Sequence, residues 1–132
     1  MEDKRCTLSK KERLNSKTMI ERLFAGGSKS FPAFPLRVVY MQAEAAGEDV
    51  PAASILISVP KKRFKRAVKR NLVKRQVREA YRKNKHLLLD ALATKDCRLV
   101  LAFIWLDSTI HSSAEVEEKV KKLLLHIAER LE

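Results

Sequence analysis

One basic segment constrains this chain more than any other feature. Residues 61–85 hold thirteen of the 28 Lys and Arg side chains and a single acid, Glu79, so they carry the whole formal net charge of +12. The acids and bases of the remaining residues balance. A positive field concentrated in this way attracts polyanions, because neutralised phosphates release the counterions condensed along a nucleic acid. The segment therefore predicts an RNA or DNA partner.

The helical periodicity of this segment predicts two different sides. Successive residues of an α-helix are about 100° apart around its axis. With Arg70 set at 0°, an apolar stripe falls between about 280° and 20°. This stripe contains Val73, Val77, Ala80 and Tyr81. The neighbouring arc contains Lys74, Arg78, Asn71, Arg82 and Arg75, with Glu79 outside it. Most runs of charged residues simply form a face that is solvated and binds nothing. Solubility alone favours charges of mixed sign, however, and this run is almost entirely basic. We therefore predict that the stripe packs on a sheet and that the basic arc binds a nucleic acid.

Length and composition predict one small folded domain. The 132 residues are 45% hydrophobic and 33% charged, which is typical of a globular chain. No apolar run approaches the roughly 20 residues of a membrane span, and no hydrophobic segment follows the N-terminus. Cys6 and Cys97 lack partners at metal-ligand spacing and are interpreted as reduced thiols of a cytoplasmic protein. We expect a single domain over residues 1–132, with residues 1–12 as a flexible extension.

The flanking patterns predict an α/β fold. A first helix is expected to end at Gly26 and Gly27, and alternating residues predict strands at 34–41 and 54–59. In the first strand Leu36, Val38 and Tyr40 share one face. Residues 99–106 are apolar on both faces and suit an interior strand. A capping box at Ser112 then begins a C-terminal helix. The expected architecture is a two-layer sandwich, with one mostly antiparallel sheet of about four strands packed with helices.

The run RNLVKRQVREAYR, residues 70–82, resembles the signature of the bacterial ribonuclease P protein component. The approach to it, VPKK at 59–62 and KRA at 65–67, is similar to the same family, as is RL at 13–14. The resemblance covers most of the chain. The family pattern usually has an arginine where this chain has Leu72 and a phenylalanine where it has Ile20. At these two positions the chain differs from the family in one expected RNA contact and in one aromatic residue of the substrate cleft.

The resemblance implies a subunit of a ribozyme. In that family the RNA subunit carries the active site and Mg²⁺, which activates water to cut the 5′ leader from precursor tRNA. The protein binds that RNA through the basic helix and holds the leader in a cleft between the sheet and the first helix. Its parallel strands are joined through the basic helix by a left-handed crossover, against the usual hand. No recognisable catalytic constellation of side chains appears in the sequence, so no protein catalyst is assigned.

Two groups of site residues follow. The expected RNA-binding residues are Lys61, Lys62, Arg66, Arg70, Asn71, Lys74, Arg75, Arg78 and Arg82. Aromatic platforms with flanking cations hold single-stranded RNA. The expected residues of the leader cleft are therefore Arg13, Phe24, Phe34 and Tyr40. The expected partners are the ribonuclease P RNA and precursor tRNA, with neither DNA nor a membrane among them.

Other functions remain open at this point. A ribosomal or other structural RNA-binding protein would share the size and charge. A DNA-binding regulator would need a helix-turn-helix pair, for which Pro60 behind a strand is a poor start. A protein-only nuclease is a more distant alternative.

Overall fold

The fold is described from a computed structural model, over residues 17–26, 28–44, 52–95 and 97–131. The helices are α1 (Lys17–Phe24), α2 (Ala67–Asn84), α3 (His86–Leu92) and α4 (Ser113–Glu129). The strands are β1 (Lys29–Ala33), β2 (Leu36–Glu44), β3 (Ala53–Ser58) and β4 (Cys97–Trp105). Among the described residues, no helix has both the length and the apolar character that crossing a bilayer requires.

The four strands form one sheet in the order β1-β2-β4-β3. The β1/β2 and β2/β4 pairs are antiparallel, whereas β3 and β4 are parallel and are joined through α2 and α3. The mixed α/β fold with a mostly antiparallel sheet of four strands is therefore confirmed. Strand β4 lies between β2 and β3, and its residues from Leu99 to Phe103 are buried, as an interior strand requires. The hand of the crossover stays a prediction.

The main core lies between one face of the sheet and helices α2, α3 and α4. Leu36, Val38 and Tyr40 of β2 point into it, as their alternation predicted. They meet Val77 of α2 and Leu124 of α4 in the same buried cluster. The basic helix is therefore held in place by its apolar stripe.

Helix α1 covers part of the opposite face of the sheet. Leu23 packs there on Val100 and Ala102, and half-buried side chains such as Val39 and Met41 surround this contact. The helix is followed by Gly26, whose φ of 108° lies in the left-handed region that favours glycine. The predicted end of the first helix is confirmed, and the sheet has helices on both faces.

Two elements were not predicted. Strand β1 contains Pro32, which hid it in the sequence, yet β1 is an edge strand, where proline is tolerated. The hairpin of β1 and β2 places Phe34 in the connecting turn rather than in a strand. Helix α3 follows α2 after the single residue Lys85, whose own backbone angles are in the right-handed helical region.

Candidate nucleic-acid interface

The predicted stripe of α2 is confirmed. Val73, Val77, Ala80 and Tyr81 are all buried against the sheet and α4. Asn84 is buried with them, and its Nδ2 donates to the Ala80 carbonyl oxygen at 2.8 Å and to Glu117 Oε2 at 3.1 Å. These contacts fix the rotation of α2 about its axis, so the direction of every other side chain of the helix follows from them.

The neighbouring arc of α2 faces outward. Asn71 and Arg75 are exposed, and Lys74, Arg78 and Arg82 are half-exposed. We call these five residues the basic surface. The fold brings them together on one outer side of α2, as the helical periodicity predicted, and it leaves four cations there within a few turns of one helix.

Within the described part of the chain, the side chain of Glu79 also reaches this surface. Glu79 Oε1 accepts from Arg82 Nη2 at 2.8 Å, and Glu79 Oε2 accepts from Arg82 Nε at 3.1 Å. The hydrogen bond from Arg82 lowers the pKa of Glu79, against the opposing effect of burial, and the nearby charges of Arg82, Lys83 and Arg78 lower it further. The angle of Glu79 on the helix placed it outside the basic arc, but its side chain is long enough to pair with Arg82. Exposed pairs of this kind are weak, so a phosphate can compete for the guanidinium.

Arg70 makes a contact that its predicted role in RNA binding did not include. Its angle on the helix falls within the range of the apolar stripe, and its Nη1 turns back and donates to the carbonyl oxygens of Phe64 and Lys65 at 2.8 and 2.9 Å. Arg66 is the N-cap of α2, and its side chain forms no capping hydrogen bond with the described residues of the helix. Arg70 therefore stabilises the turn that leads into α2, a role that its angle on the helix does not reveal.

The turn before α2 carries three further cations of the predicted set. Lys61 and Lys62 are exposed in the turn after β3, where the Arg63 N–H donates to the Pro60 carbonyl oxygen at 3.0 Å. Arg66 is exposed at the N-cap of α2. We call Lys61, Lys62 and Arg66 the basic turn. It adjoins the N-terminal end of the helix that carries the basic surface.

Part of the opposite face of the sheet, beside α1, is not fully covered, and we call it the α1 cleft. Val39, Met41 and Leu56 are only half-buried there, because α1 is eight residues long and covers part of this face. At one end of the face Arg98 Nη2 donates to Ser54 Oγ at 3.0 Å. This α1 cleft offers apolar side chains of the sheet that a planar group could contact.

The predicted cleft aromatics lie in three different environments. Phe24, at the end of α1, is 50% exposed. Phe34 is 59% exposed in the β1–β2 turn, with its ring edge-on to that of His111 at a centroid distance of 6.3 Å. The prediction for Tyr40 is wrong, because it is 4% exposed in the core on the face opposite α1. Arg13 lies outside the described residues.

A polar cluster that the sequence did not indicate joins α2 to α4. His111 Nε2 lies 2.7 Å from Asp107 Oδ2, and His111 Nδ1 lies 2.7 Å from Glu115 Oε2. The hydrogen bond to Asp107 raises the pKa of His111, and Glu115 adds to this effect while burial opposes it. The Gln76 side chain of α2 donates through Nε2 to the His111 carbonyl oxygen at 2.9 Å. Asp107, His111 and Glu115 are spaced four residues apart but match no motif, and Gln76 is distant from them in the chain, so the sequence did not indicate the cluster.

The comparisons with known proteins agree with this geometry. The family model for ribonuclease P matches residues 8–128 of this chain. The chain belongs to the ribonuclease P protein family. The ribonuclease P protein component of Porphyromonas gingivalis is 46% identical over 121 residues, covering 92% of this chain and 86% of that protein. That of Chlorobaculum tepidum is 34% identical over 129 residues, covering 89% and 82%.

Solved structures of the family share the fold. The ribonuclease P protein of Thermotoga maritima matches with a TM-score of 0.67 at 22% identity, covering 87% of this chain and 96% of that one. That of Staphylococcus aureus matches with a TM-score of 0.65 at 18% identity, covering 89% and 95%. The predicted family is thus confirmed, and the chain is a protein subunit of the endoribonuclease ribonuclease P, which processes tRNA.

Proposed function

We propose that this chain binds the catalytic RNA subunit of ribonuclease P through the basic surface and the basic turn. The observation that carries the proposal is the outward cluster of four cations on α2, held in place by the buried stripe of the same helix. A rigid helix presents its charges in a fixed array, so the backbone that carries them need not be ordered on binding phosphates. Counterion release supplies the driving force.

The 5′ leader of precursor tRNA is the second proposed ligand, and its site is the α1 cleft. The half-buried apolar residues of this face can contact the bases of an extended strand, and the exposed ring of Phe24 lies at the end of the helix beside them. Single-stranded RNA is held by such contacts without reading of its sequence. Phe34 lies in the β1–β2 turn and contacts a base of the leader only where the leader extends as far as this turn.

The catalytic chemistry is assigned to the RNA subunit. Within the described ranges, no group of three or more His, Cys, Asp or Glu side chains is arranged to hold a metal ion. We propose that Mg²⁺ is held mainly by the RNA subunit and the substrate, whose phosphates are typical ligands of this ion. The proposed contribution of the protein is to bind and orient two RNA molecules relative to each other.

Reconstitution tests the proposal. The chain is mixed with a transcribed ribonuclease P RNA, and removal of the leader from precursor tRNA is followed at a low Mg²⁺ concentration at which the RNA alone is slow. We expect faster cleavage with the chain and no cleavage by the chain without the RNA. An unchanged cleavage rate at saturating protein would overturn the proposal. Cleavage by the chain alone would instead support the alternative function, a nuclease that needs no RNA subunit.

The leader assignment has its own test. We expect Phe24→Ala to weaken binding of precursor tRNA by about 1–3 kcal/mol for each lost stacked base, with binding of mature tRNA nearly unchanged. Phe34→Ala is measured in parallel and gives the same pattern if the leader extends to the turn. Both rings are exposed, so melting temperatures should hold. An equal loss for precursor and mature tRNA would rule out a leader contact for the residue concerned.

A further inference from the structure

A groove runs between α2 and α4, next to the basic surface. It has a cavity volume of about 230 Å³ and is lined by side chains of both helices. Sites that bury a drug-sized ligand measure about 300–1,000 Å³, so this groove has room for a single small ring system. Arg75 lines the groove and also belongs to the basic surface, so the two sites are continuous.

The α2 side of the groove combines two apolar side chains with charged and polar ones, and a carboxylate lies opposite on α4. Leu72 is 37% exposed and borders the groove together with Ala80. On α4, Glu117 presents a carboxylate whose Oε2 accepts from Asn84 Nδ2 at 3.1 Å. An ionised carboxylate accepts hydrogen bonds and donates none, so Glu117 favours a ligand that brings N–H groups into the groove.

The charges of the groove balance. Arg75 and Lys83 line it together with Glu79 and Glu117, so the groove itself does not attract a phosphate as the neighbouring surface does. The ligand that fits both environments has a neutral, donor-bearing ring attached to a polyanionic backbone. An unstacked nucleotide of RNA has this construction, with its phosphates on the basic surface and its base in the groove.

We propose that the groove between α2 and α4 binds one unpaired guanine of the RNA subunit, an inference that rests on the proposed function above. Guanine places its N1–H and N2–H groups side by side on the Watson–Crick edge, and an ionised carboxylate accepts from both. Adenine and cytosine have a single amino group on that edge beside an acceptor nitrogen, which Glu117 would repel. Leu72 supplies the apolar contact, and the Arg75 guanidinium borders the site as a stacking or phosphate-binding group.

The variant Glu117→Gln gives the decisive measurement, since the two explanations predict opposite signs. If α2 acts only through its charge, removal of an acid beside the basic surface strengthens RNA binding. If Glu117 accepts from guanine, the amide group introduced by the substitution opposes a donor and the affinity falls by about tenfold. Glu118→Gln is the matched control, because Glu118 is an exposed acid next to it on α4. The substituted side chain keeps an oxygen for Asn84, and melting temperatures check the fold.

The experiment uses the full chain and a transcribed ribonuclease P RNA, treated with a dicarbonyl reagent that modifies N1 and N2 of unpaired guanine. We expect the wild-type chain and Glu118→Gln to protect a guanine that Glu117→Gln leaves reactive. Leu72→Ala, which changes no charge, should also weaken binding and expose the same guanine. Unchanged or tighter binding by Glu117→Gln, or no guanine whose protection depends on it, overturns the inference. Failure of the wild-type chain to bind the RNA overturns the proposed function itself.

Discussion

Helices α2 and α4 pack on the same face of the sheet and have almost the same length, 18 and 17 residues. Each buries five residues of one stripe. Their exposed sides differ sharply. Helix α2 carries seven basic side chains and one acid, whereas α4 carries three lysines and four glutamates. The buried stripe decides where a helix lies, and the exposed side decides what it can bind, so the two properties vary independently in one fold.

The two helices also begin differently. The Ser112 side chain accepts from the Glu115 N–H at 3.1 Å at the start of α4, a regular N-cap that the sequence predicted. At the start of α2 the described structure shows no side-chain cap on Arg66, and Arg70 instead bonds the two preceding carbonyl oxygens. The basic helix therefore uses one of its own cations to stabilise the segment that leads into it from the turn with Lys61 and Lys62.

The largest expected effect tests whether the two stripes are equivalent. Val77→Asp on α2 and Val120→Asp on α4 would each place an unpaired charge in the core, which costs several kcal/mol out of a typical total of roughly 5–15. We expect both variants to unfold or to melt at a much lower temperature. Val68→Asp is the control, because Val68 is 78% exposed on α2 and should tolerate the change. A stable Val77→Asp variant would mean that α2 is rotated differently about its axis.

The second prediction tests whether the exposed sides differ. Lys74→Ala with Arg75→Ala should weaken binding of the RNA subunit and reduce the salt dependence of the binding constant by about 2 in slope, since each lost phosphate contact contributes about 0.9. Lys121→Ala with Lys122→Ala removes the same charge from the exposed side of α4. We expect its slope to stay close to that of the wild type. Equal losses for both pairs would show that the net charge, and not the basic surface, governs binding.

The third prediction compares the two helix starts. Arg70→Ala removes hydrogen bonds to two backbone carbonyl oxygens and should lower the free energy of unfolding by about 1–2 kcal/mol. Ser112→Ala should cost about 1 kcal/mol through the lost cap. Arg75→Ala, on the exposed side of α2, should stay within about 0.5 kcal/mol of the wild type. Urea unfolding measures all three, and a loss at Arg75 as large as that at Arg70 would contradict the assigned role of Arg70.

The smallest expected effect concerns the connection between β4 and α4. Because its carboxylate neighbours raise the pKa of His111, the folded state binds that proton more tightly than the unfolded state. The resulting stability is fully present below the ordinary histidine pKa of about 6.5 and is lost as the pH rises through the raised value. The pKa of Asp107 is lowered to about 2, so Asp107 stays ionised over this range.

The measurement is the difference in stability between the wild type and His111→Gln at several values between about pH 5.5 and 9, which bracket the ordinary histidine pKa. We expect this difference to be largest at the acidic end and to shrink toward the alkaline end. His126 acts in the opposite direction, because burial lowers its pKa, but it is common to both proteins and cancels in the difference. A difference that does not vary with pH would show that His111 contributes through packing on Trp105, whose ring centroid is 5.4 Å away, and not through its charge.

Much of the fold and of the basic surface could be predicted because both depend on short-range periodicity. The spacing of Val73, Val77 and Tyr81 defines one side of α2 wherever the helix lies, and the alternation in β2 separates its two faces. The predicted Ser112 cap and the helix stop at Gly26 are equally local, since each depends on the chemistry of a few neighbouring residues. These features follow from bond geometry, and the structure confirms them.

Tertiary packing decided the rest. Alternation placed Tyr40 with Leu36 and Val38, but only the packing of α1 and α4 on opposite sides of the sheet determined that this face is the core and not the cleft. The position of Arg70 on the helix did not indicate where its flexible side chain would find acceptors. The groove joins Leu72 to Glu117, which are distant in the chain and become neighbours through the contact of two helices. A sequence specifies which residues share a side of each element, and the contacts between elements determine what each side meets.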